Sequence, residues 1–339
     1  MGNTVVWKPA SSVVLPVYYL MKVLEEAGLP AGVINFVPGP GPVVTPPALN
    51  DVRLGGIHFT GSTHVFSTIW LAIGSDIRKY VSYPRIVGET GGKDFLFAHA
   101  SSDVDAPATA LGRGAFEYQG QKFSAASRAY IPDSLWPAAK ERLVGTIGEI
   151  RMGDTSDFTN FMGAVIDENA FNTISGYIEH ARGSSDFEII TGGCCDRSVG
   201  FFVEPTIVVS KDPKSKLMSE EIFGPVLTVY VYPEGAYAET LELCDQTSPY
   251  GLTGAFFGLD RWAIVQAMNA LRHAAGNLYI NDKPTGAVVG QQPFGGTRAS
   301  GTNDKAGSWP NLERWVSPRA IKETFLPPTD FRYPYMEEA

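Results

Sequence analysis

Short apolar runs alternate with longer segments of helical spacing along most of this chain. Residues 33–37, 56–60 and 94–97 have the length and composition of buried strands. Residues 13–26 and 63–73 instead carry apolar side chains at the three- and four-residue spacing of a helix. Strands that alternate with helices are typically joined by crossover connections, which place neighbouring strands parallel. The pattern therefore predicts an α/β fold with a parallel sheet.

The same alternation extends over the rest of the chain. Gly28 is placed to end the first helix. Residues 38–42 read Pro-Gly-Pro-Gly-Pro, which predicts a stiff loop that is neither helix nor central strand. Residues 103–118 are predicted to form a further helix. Further strands are predicted at residues 4–7, 85–87, 226–232, 252–257 and 278–281.

Composition excludes several classes of protein. The chain has 339 residues, of which 44% are hydrophobic and 19% charged, so it can bury the core of one large or two ordinary domains. The net charge is −9 and no basic run occurs, which argues against a nucleic-acid partner. No apolar stretch has the length needed to span a bilayer, and the first residues do not resemble a secretory signal. We therefore expect neither membrane insertion nor secretion.

The cysteines indicate a reducing compartment. Only Cys194, Cys195 and Cys244 are present, an odd number that includes an adjacent pair. A disulfide framework is not expected from this arrangement, and the predicted location is the cytoplasm. No spacing of His, Cys and Asp resembles a metal site, so we expect no bound metal.

Six sequence blocks occur in a fixed order with compatible spacing. They are residues 5–9, 28–39, 59–62, 89–93, 220–225 and 281–303. Together they closely resemble the aldehyde dehydrogenase superfamily, and within it the branch of Δ1-pyrroline-5-carboxylate (glutamate-semialdehyde) dehydrogenases. One block alone would be a weak signal, whereas the ordered set covers nearly the whole chain.

The resemblance places the catalytic centre around residues 117–128. In the family a cysteine follows Gln-Lys; its thiolate attacks the aldehyde, and the adduct donates a hydride to the nicotinamide. Here Phe123 stands at that position. Lys122 directly before it is retained from the family and is a candidate catalytic residue, which could steady an anion or simply extend its charge to solvent. Phenylalanine has no lone pair for attack, so the ordinary reaction is not expected. Glu89 matches the general base, and a carboxylate there could take a proton from water or from carbon.

The resemblance also implies a substrate site. Ser124, Gly286 and Ala287 match the positions that hold the substrate carboxylate, since a hydroxyl and two backbone amides make an anion cradle. Phe294 matches an aromatic residue that packs on the aliphatic part of the substrate. The expected ligand is therefore a small aldehyde, an imine or a related carbonyl compound.

The cofactor site is only partly matched. Lys8, Ser62, Glu221 and Phe223 correspond to positions that contact NAD in the family. The family's first dinucleotide strand has no counterpart in the sequence that starts at Met1, so we expect no bound cofactor, with weak NAD binding as the alternative.

The expected architecture is a truncated aldehyde-dehydrogenase-like fold. Residues 1–98 would form an incomplete Rossmann-type domain, residues 99–318 a catalytic-type α/β domain, and residues 319–339 a tail. In the family's 3-2-1-4-5 strand order the unmatched strand is central. Residues 4–7 would then have an unpaired edge, and unpaired buried backbone groups cost about 1–3 kcal/mol each. We therefore expect a homo-oligomer or a partner chain.

Three functions remain open from the sequence. The first is a repurposed enzyme that performs redox-neutral carbonyl chemistry, such as aldol- or Knoevenagel-type ring closure or isomerisation, with Glu89 as base. The second is a pseudoenzyme with a binding or regulatory role. The third is a dehydrogenase fragment that oxidises glutamate semialdehyde with NAD only together with a partner chain.

Overall fold

Strands and helices alternate along the computed structural model, which describes residues 2–288 and 290–336. The strands are β1 (Val5–Trp7), β2 (Ile34–Phe36), β3 (Gly56–Thr60), β4 (Arg85–Glu89), β5 (Asp94–Ala98), β6 (Ala126–Pro132), β7 (Phe187–Thr191), β8 (Cys195–Asp196), β9 (Phe202–Val203), β10 (Thr206–Ser210), β11 (Val226–Tyr232), β12 (Tyr250–Gly251), β13 (Thr253–Phe257), β14 (Asn277–Ile280) and β15 (Thr297–Arg298). The helices are α1 (Val14–Glu26), α2 (Gly41–Asn50), α3 (Thr63–Ser75), α4 (Asp105–Phe116), α5 (Trp136–Gly148), α6 (Glu168–Arg182), α7 (Lys216–Ser219), α8 (Tyr237–Gln246), α9 (Arg261–Ala270) and α10 (Trp309–Glu313). The α/β fold predicted from the sequence is confirmed.

A seven-stranded sheet organises the larger part of the chain. Its order is β14-β13-β5-β6-β11-β10-β7, and every neighbouring pair is parallel except β10 with the edge strand β7. Every residue of β5 and β13 is buried. Burial on both faces explains why these strands read as continuous apolar runs rather than as alternating ones.

The two faces of this sheet support separate cores. Successive residues of β5 point to opposite faces, so Leu96 packs with the residues of α4 and α5 while Phe97 packs with those of α8 and α9. Leu111 and Leu143 are fully buried in the first core, and Leu241 is buried in the second. Helices therefore cover both faces of this sheet.

The N-terminal strands form two small parallel sheets, β1 with β2 and β3 with β4. Among the described residues, neither of these sheets pairs with a further strand. Val6 in β1 is 61% exposed. This arrangement agrees with the expectation that residues 4–7 have an unpaired edge.

The stiff loop predicted for residues 38–42 is wrong at its end, because α2 already begins at Gly41 and Pro42 lies in its first turn. Proline is favoured there, since the first amides of a helix have no intrahelical partner and proline lacks one. The domain boundary at residue 98 stays a prediction, and β5 pairs within the seven-stranded sheet.

No helix of the described ranges is both long and apolar enough to cross a membrane. All three cysteines are free, with Cys244 buried and Cys194 exposed. The cytoplasmic location stays a prediction.

We expect the amide hydrogens of β1 and β3 to exchange with solvent faster than those of β5 and β13. A two-stranded sheet is marginally stable alone, whereas β5 and β13 are buried and paired on both sides. Hydrogen–deuterium exchange with peptide mass spectrometry measures this difference. Equal protection of the peptides that contain β1 and β5 would contradict it.

Candidate active site

Glu89 lies at the end of β4 and is 6% exposed. Its Oε2 accepts a hydrogen bond from the backbone N–H of Gly296 at 3.4 Å, and its main chain forms an antiparallel bridge with Gly301. A methyl group placed on Gly295 would lie 3.1 Å from Oε1. The structure thus brings together the base candidate and the 281–303 segment, which are about 200 residues apart in sequence.

Burial raises the pKa of Glu89 to about 7. The Gly296 hydrogen bond and the charge of Lys305 oppose this rise, and the charge of Asp304 adds to it. Desolvation dominates because a charged carboxylate loses its hydration when it enters a protein interior. A carboxyl group that titrates near neutral pH can both accept and return a proton, as a general base requires.

Phe123 packs against Phe294 rather than into the core. Their ring centroids are 5.5 Å apart with an interplanar angle of 58°, and Phe123 is half-buried. Tilted aromatic pairs at this distance are favourable beyond the apolar area that they bury. Because Phe294 directly precedes Gly295 and Gly296, the two rings form an apolar wall near Glu89.

The turn before Phe123 has an unusual backbone. Tyr118 and Gln119 have left-handed φ angles of 51° and 59°, and Gly120 follows with φ 65°. The left-handed conformation costs a residue with a side chain roughly 1–2 kcal/mol. Gln119 offsets this cost because its side-chain amide bonds the Gly163 N–H and the Ala164 carbonyl.

Lys122 is held by an ion-pair cluster. Its Nζ lies 2.8 Å from Glu117 Oε2, and Lys283 Nζ lies 2.6 Å from Glu117 Oε1. These pairs join the loop at residue 123 to the 281–303 segment. Lys122 therefore shares a carboxylate with Lys283, and its catalytic role stays a prediction.

The proposed carboxylate cradle is partly engaged within the chain. Gly286 donates its N–H to the Lys283 carbonyl at 3.1 Å, which closes a turn. Ser124, Gly286 and Ala287 are all half-buried. Their role in substrate binding stays a prediction.

Glu221 contacts the loop that follows Glu89. Glu221 Oε1 accepts a hydrogen bond from the Gly92 N–H at 2.8 Å, and burial raises the pKa of Glu221. A methyl group on Gly91 would lie only 2.4 Å from Glu221 Oε2. Phe223 has a left-handed φ of 55° and is 41% exposed.

The other two cofactor candidates lie at the ends of the N-terminal strands. Ser62 caps α3, and its Oγ accepts a hydrogen bond from the Val65 N–H at 3.3 Å. Lys8 follows β1 and donates to the Pro9 carbonyl at 2.6 Å. A helix N-terminus binds phosphate well, because its free amides and dipole favour negative charge. The N-terminus of α3, the Lys8 ammonium and the Glu221 carboxylate are chemically suited to the phosphates and ribose of a dinucleotide.

Three buried charged residues at the end of the loop that follows Glu89, or in contact with it, were not singled out from the sequence. Burial lowers the pKa of Lys93 to about 7 and raises that of Asp94 to about 8. Arg128 is also buried, and its Nε donates to the Lys93 carbonyl at 2.8 Å. The available signal was the Lys-Asp pair directly before the apolar residues 95–97, since charges rarely begin a buried strand without a role.

The cysteines lie in environments that disfavour a thiolate. Burial raises the pKa of Cys244, and the neighbouring Glu204 carboxylate raises that of Cys194. Within the part of the chain that the structure describes, no group of His, Cys, Asp and Glu could hold a metal ion.

A cleft of about 540 Å³ lies between α3 and residues 298–302. Phe66, Trp70 and Leu71 supply its apolar side, whereas Thr90 and Thr302 supply hydroxyl groups. Since Thr90 directly follows Glu89, this cleft lies next to the end of β4.

Comparison with known proteins confirms the resemblance inferred from the ordered motifs. The sequence model of the aldehyde dehydrogenase family matches residues 1–321. Mitochondrial delta-1-pyrroline-5-carboxylate dehydrogenases from Dictyostelium discoideum and Danio rerio are 60% and 51% identical to this chain, in each case over 99% of the chain and 61% of the relative. The chain thus spans about three fifths of the length of these relatives.

Solved structures show the same similarity in three dimensions. The delta-pyrroline-5-carboxylate dehydrogenase from Mycobacterium tuberculosis, bound with NAD, has a TM-score of 0.93 and 53% identity, covering 99% of this chain and 62% of that one. The 1-pyrroline-5-carboxylate dehydrogenase from Thermus with bound NAD has a TM-score of 0.86 and 35% identity, covering 93% of this chain and 60% of that one.

The pKa of Glu89 predicts a pH-dependent effect of Glu89→Gln on stability. The folded state retains this proton up to about pH 7, whereas a carboxyl with the ordinary pKa of 4.5 loses it earlier. The contribution of Glu89 to the free energy of unfolding therefore falls as the pH rises between these values, by at most about 1.4 kcal/mol per pH unit. Urea unfolding of both proteins across this range measures the difference, and parallel pH curves would contradict it.

Proposed function

The chain belongs to the aldehyde dehydrogenase family, and from this premise we propose that its site binds a nicotinamide dinucleotide and a small aldehyde that carries a carboxylate, as in a pyrroline-5-carboxylate dehydrogenase. The observation that carries the proposal is the meeting of Glu89 and Gly296 at the end of β4, with the Glu221 carboxylate accepting a hydrogen bond from Gly92 in the loop after Glu89. Residues from three distant segments thus surround one location.

The comparisons favour the dehydrogenase-type site over a repurposed one. Relatives named as pyrroline-5-carboxylate dehydrogenases match 99% of the chain, and the M. tuberculosis structure is bound with NAD. This support replaces our expectation that no cofactor binds. We further propose that the chain works in an assembly with a second chain, because β1 and β3 each pair on one side only among the described residues.

Four residues would hold the dinucleotide. The Glu221 carboxylate would accept hydrogen bonds from ribose hydroxyls, and Ser62 at the start of α3 would face the phosphates. Lys8 would add a positive charge, and the exposed ring of Phe223 would pack on the cofactor. NAD, when bound, supplies the hydride acceptor.

The chain's own chemistry centres on Glu89. Its carboxylate can take a proton from water while the water oxygen bonds to the aldehyde carbon and the carbonyl π bond opens; Glu89 then returns that proton to the former carbonyl oxygen, and the product is the aldehyde hydrate. Oxidation through a thiol adduct needs a sulfur atom at position 123, which Phe123 does not supply. The proposed role of this chain is therefore to bind both ligands and to provide the base.

Phe123→Cys tests whether the rest of the site is that of a dehydrogenase. We expect no NADH formation by the natural chain from pyrroline-5-carboxylate and NAD. The cysteine variant should form NADH at least about a thousandfold faster than the background rate measured with the natural chain, because removing a nucleophile typically costs more than that. NADH fluorescence follows the reaction.

Phe123→Ala is the matched control, because it removes the ring without adding a thiol. If the cysteine and alanine variants form NADH at the same rate, the proposed function is wrong. NADH formation by the natural chain at the rate of the cysteine variant would equally contradict the role given to Phe123.

A second candidate is redox-neutral carbonyl chemistry, such as aldol- or Knoevenagel-type ring closure or isomerisation. The observation that favours it is a buried base with a pKa of about 7 that is hydrogen-bonded to Gly296, two residues after the Phe294 ring that packs on Phe123. Such a base can remove an acidic proton next to a carbonyl group.

Glu89→Gln tests this second candidate on a panel of aldehydes mixed with carbon acids, without NAD. Turnover should fall about 100- to 10,000-fold, as is typical on loss of a general base. Glu188→Gln is the matched control, since Glu188 is an exposed residue of the edge strand β7 and pairs with Lys140. Turnover within a few-fold of the natural chain in the Glu89 variant would exclude Glu89 as the base.

A further inference from the structure

Asp94 is a buried carboxyl group with one oxygen that has no partner. It begins β5 and is 1% exposed. Its Oδ1 accepts a hydrogen bond from the Thr253 N–H at 2.6 Å. Its Oδ2 is buried and, among the described residues, has no hydrogen-bond partner. Buried polar atoms are nearly always paired, so an exception calls for a physical reason.

The free oxygen of Asp94 faces the main chain of residue 123. A methyl group built on Gly92 would lie 2.4 Å from Asp94 Oδ2 and 2.2 Å from the Phe123 carbonyl oxygen. The two oxygens therefore border the same small space. In the described ranges, no backbone N–H outside regular helices and strands donates to the Phe123 carbonyl.

We propose that Asp94 is a positioning residue, which fixes the main chain at residue 123 by donating a hydrogen bond from its carboxylic acid to the Phe123 carbonyl. Two bare oxygens at this location would repel each other, whereas a proton between them makes the contact attractive. A protonated carboxyl group is a hydrogen-bond donor, and a backbone carbonyl accepts.

The surroundings of Asp94 support the protonated form at neutral pH. Burial raises its pKa to about 8, the Glu221 charge adds to the rise, and the Thr253 hydrogen bond and the Arg128 charge oppose it. Lys93 and Tyr279 are the other titratable groups near it. Since Arg128 donates its hydrogen bonds to the Lys93 carbonyl, the Tyr130 hydroxyl and the Cys244 carbonyl, it makes no ion pair with Asp94 Oδ2.

The contact between Asp94 and the Phe123 carbonyl determines the position of the apolar wall formed by the Phe123 and Phe294 rings. The ring of Phe123 packs on Phe294, so the main-chain position of residue 123 sets where that ring lies. Above about pH 8, the Asp94 carboxylate would repel the Phe123 carbonyl and loosen the wall. The inference goes beyond the proposed function, because it holds whichever ligand the site binds.

The sequence offers a direct measurement of this contact. Phe is followed by Ser at only two places, Phe66-Ser67 and Phe123-Ser124. In protein labelled with carbonyl-¹³C phenylalanine and ¹⁵N serine, a carbon-detected carbonyl–nitrogen spectrum therefore shows two signals. Phe66 lies inside α3 and serves as the internal reference.

We expect the Phe123 carbonyl signal to shift with pH, with a midpoint near the pKa of about 8 of Asp94, while the Phe66 signal stays still. This titration uses the natural chain, so it needs no variant to fold. A Phe123 signal that stays constant through this pH range would overturn the proposal.

Two variants assign the titration to its source. Asp94→Asn keeps a donor but cannot titrate, so its Phe123 signal should lose the transition near pH 8; a transition that persists there would refute the role of Asp94. Glu221→Gln removes the other carboxylate, which accepts from the Gly92 N–H. The transition should survive in that variant, and its loss would assign the effect to Glu221 and overturn the proposal.

Discussion

The geometry of the site depends on one constraint, which is the close approach of other chain segments to Gly92. The Phe123 carbonyl, the Asp94 carboxyl and the Leu252 side chain all come so near to Gly92 that a methyl group there would lie within 3.1 Å of each. Only glycine leaves room for three segments to meet. Through this contact the Glu89 loop is packed directly against the loop that carries Phe123.

Burial then decides the chemistry of the groups that meet there. Glu89 and Asp94 are carboxyl groups with ordinary pKa values far below neutral, yet their burial raises these values to about 7 and about 8. Burial acts on Lys93 in the opposite direction, because the charged form of lysine is the protonated one. One buried region thus holds a base near neutrality, a carboxylic acid and a lysine of lowered pKa.

Much of this could be predicted from the sequence, and the failures have physical reasons. The α/β fold and the bounds of the strand at residues 226–232 follow from apolar periodicity, which reports burial directly. Helix α2 was missed because the prolines at its start also occur in loops. Lys93, Asp94 and Arg128 were missed because a sequence pattern does not show which charged residues become buried.

The sequence by itself determined that residue 123 carries a phenyl ring, and therefore that this position has no atom able to attack an aldehyde. It also determined the order of the motifs and so the family. Only the tertiary structure decided that Glu221 bonds the loop after Glu89, and that Asp94 faces the Phe123 carbonyl. Both contacts join residues that are distant in sequence, and the pKa of a carboxyl group depends on its neighbours in space, which chain order does not specify.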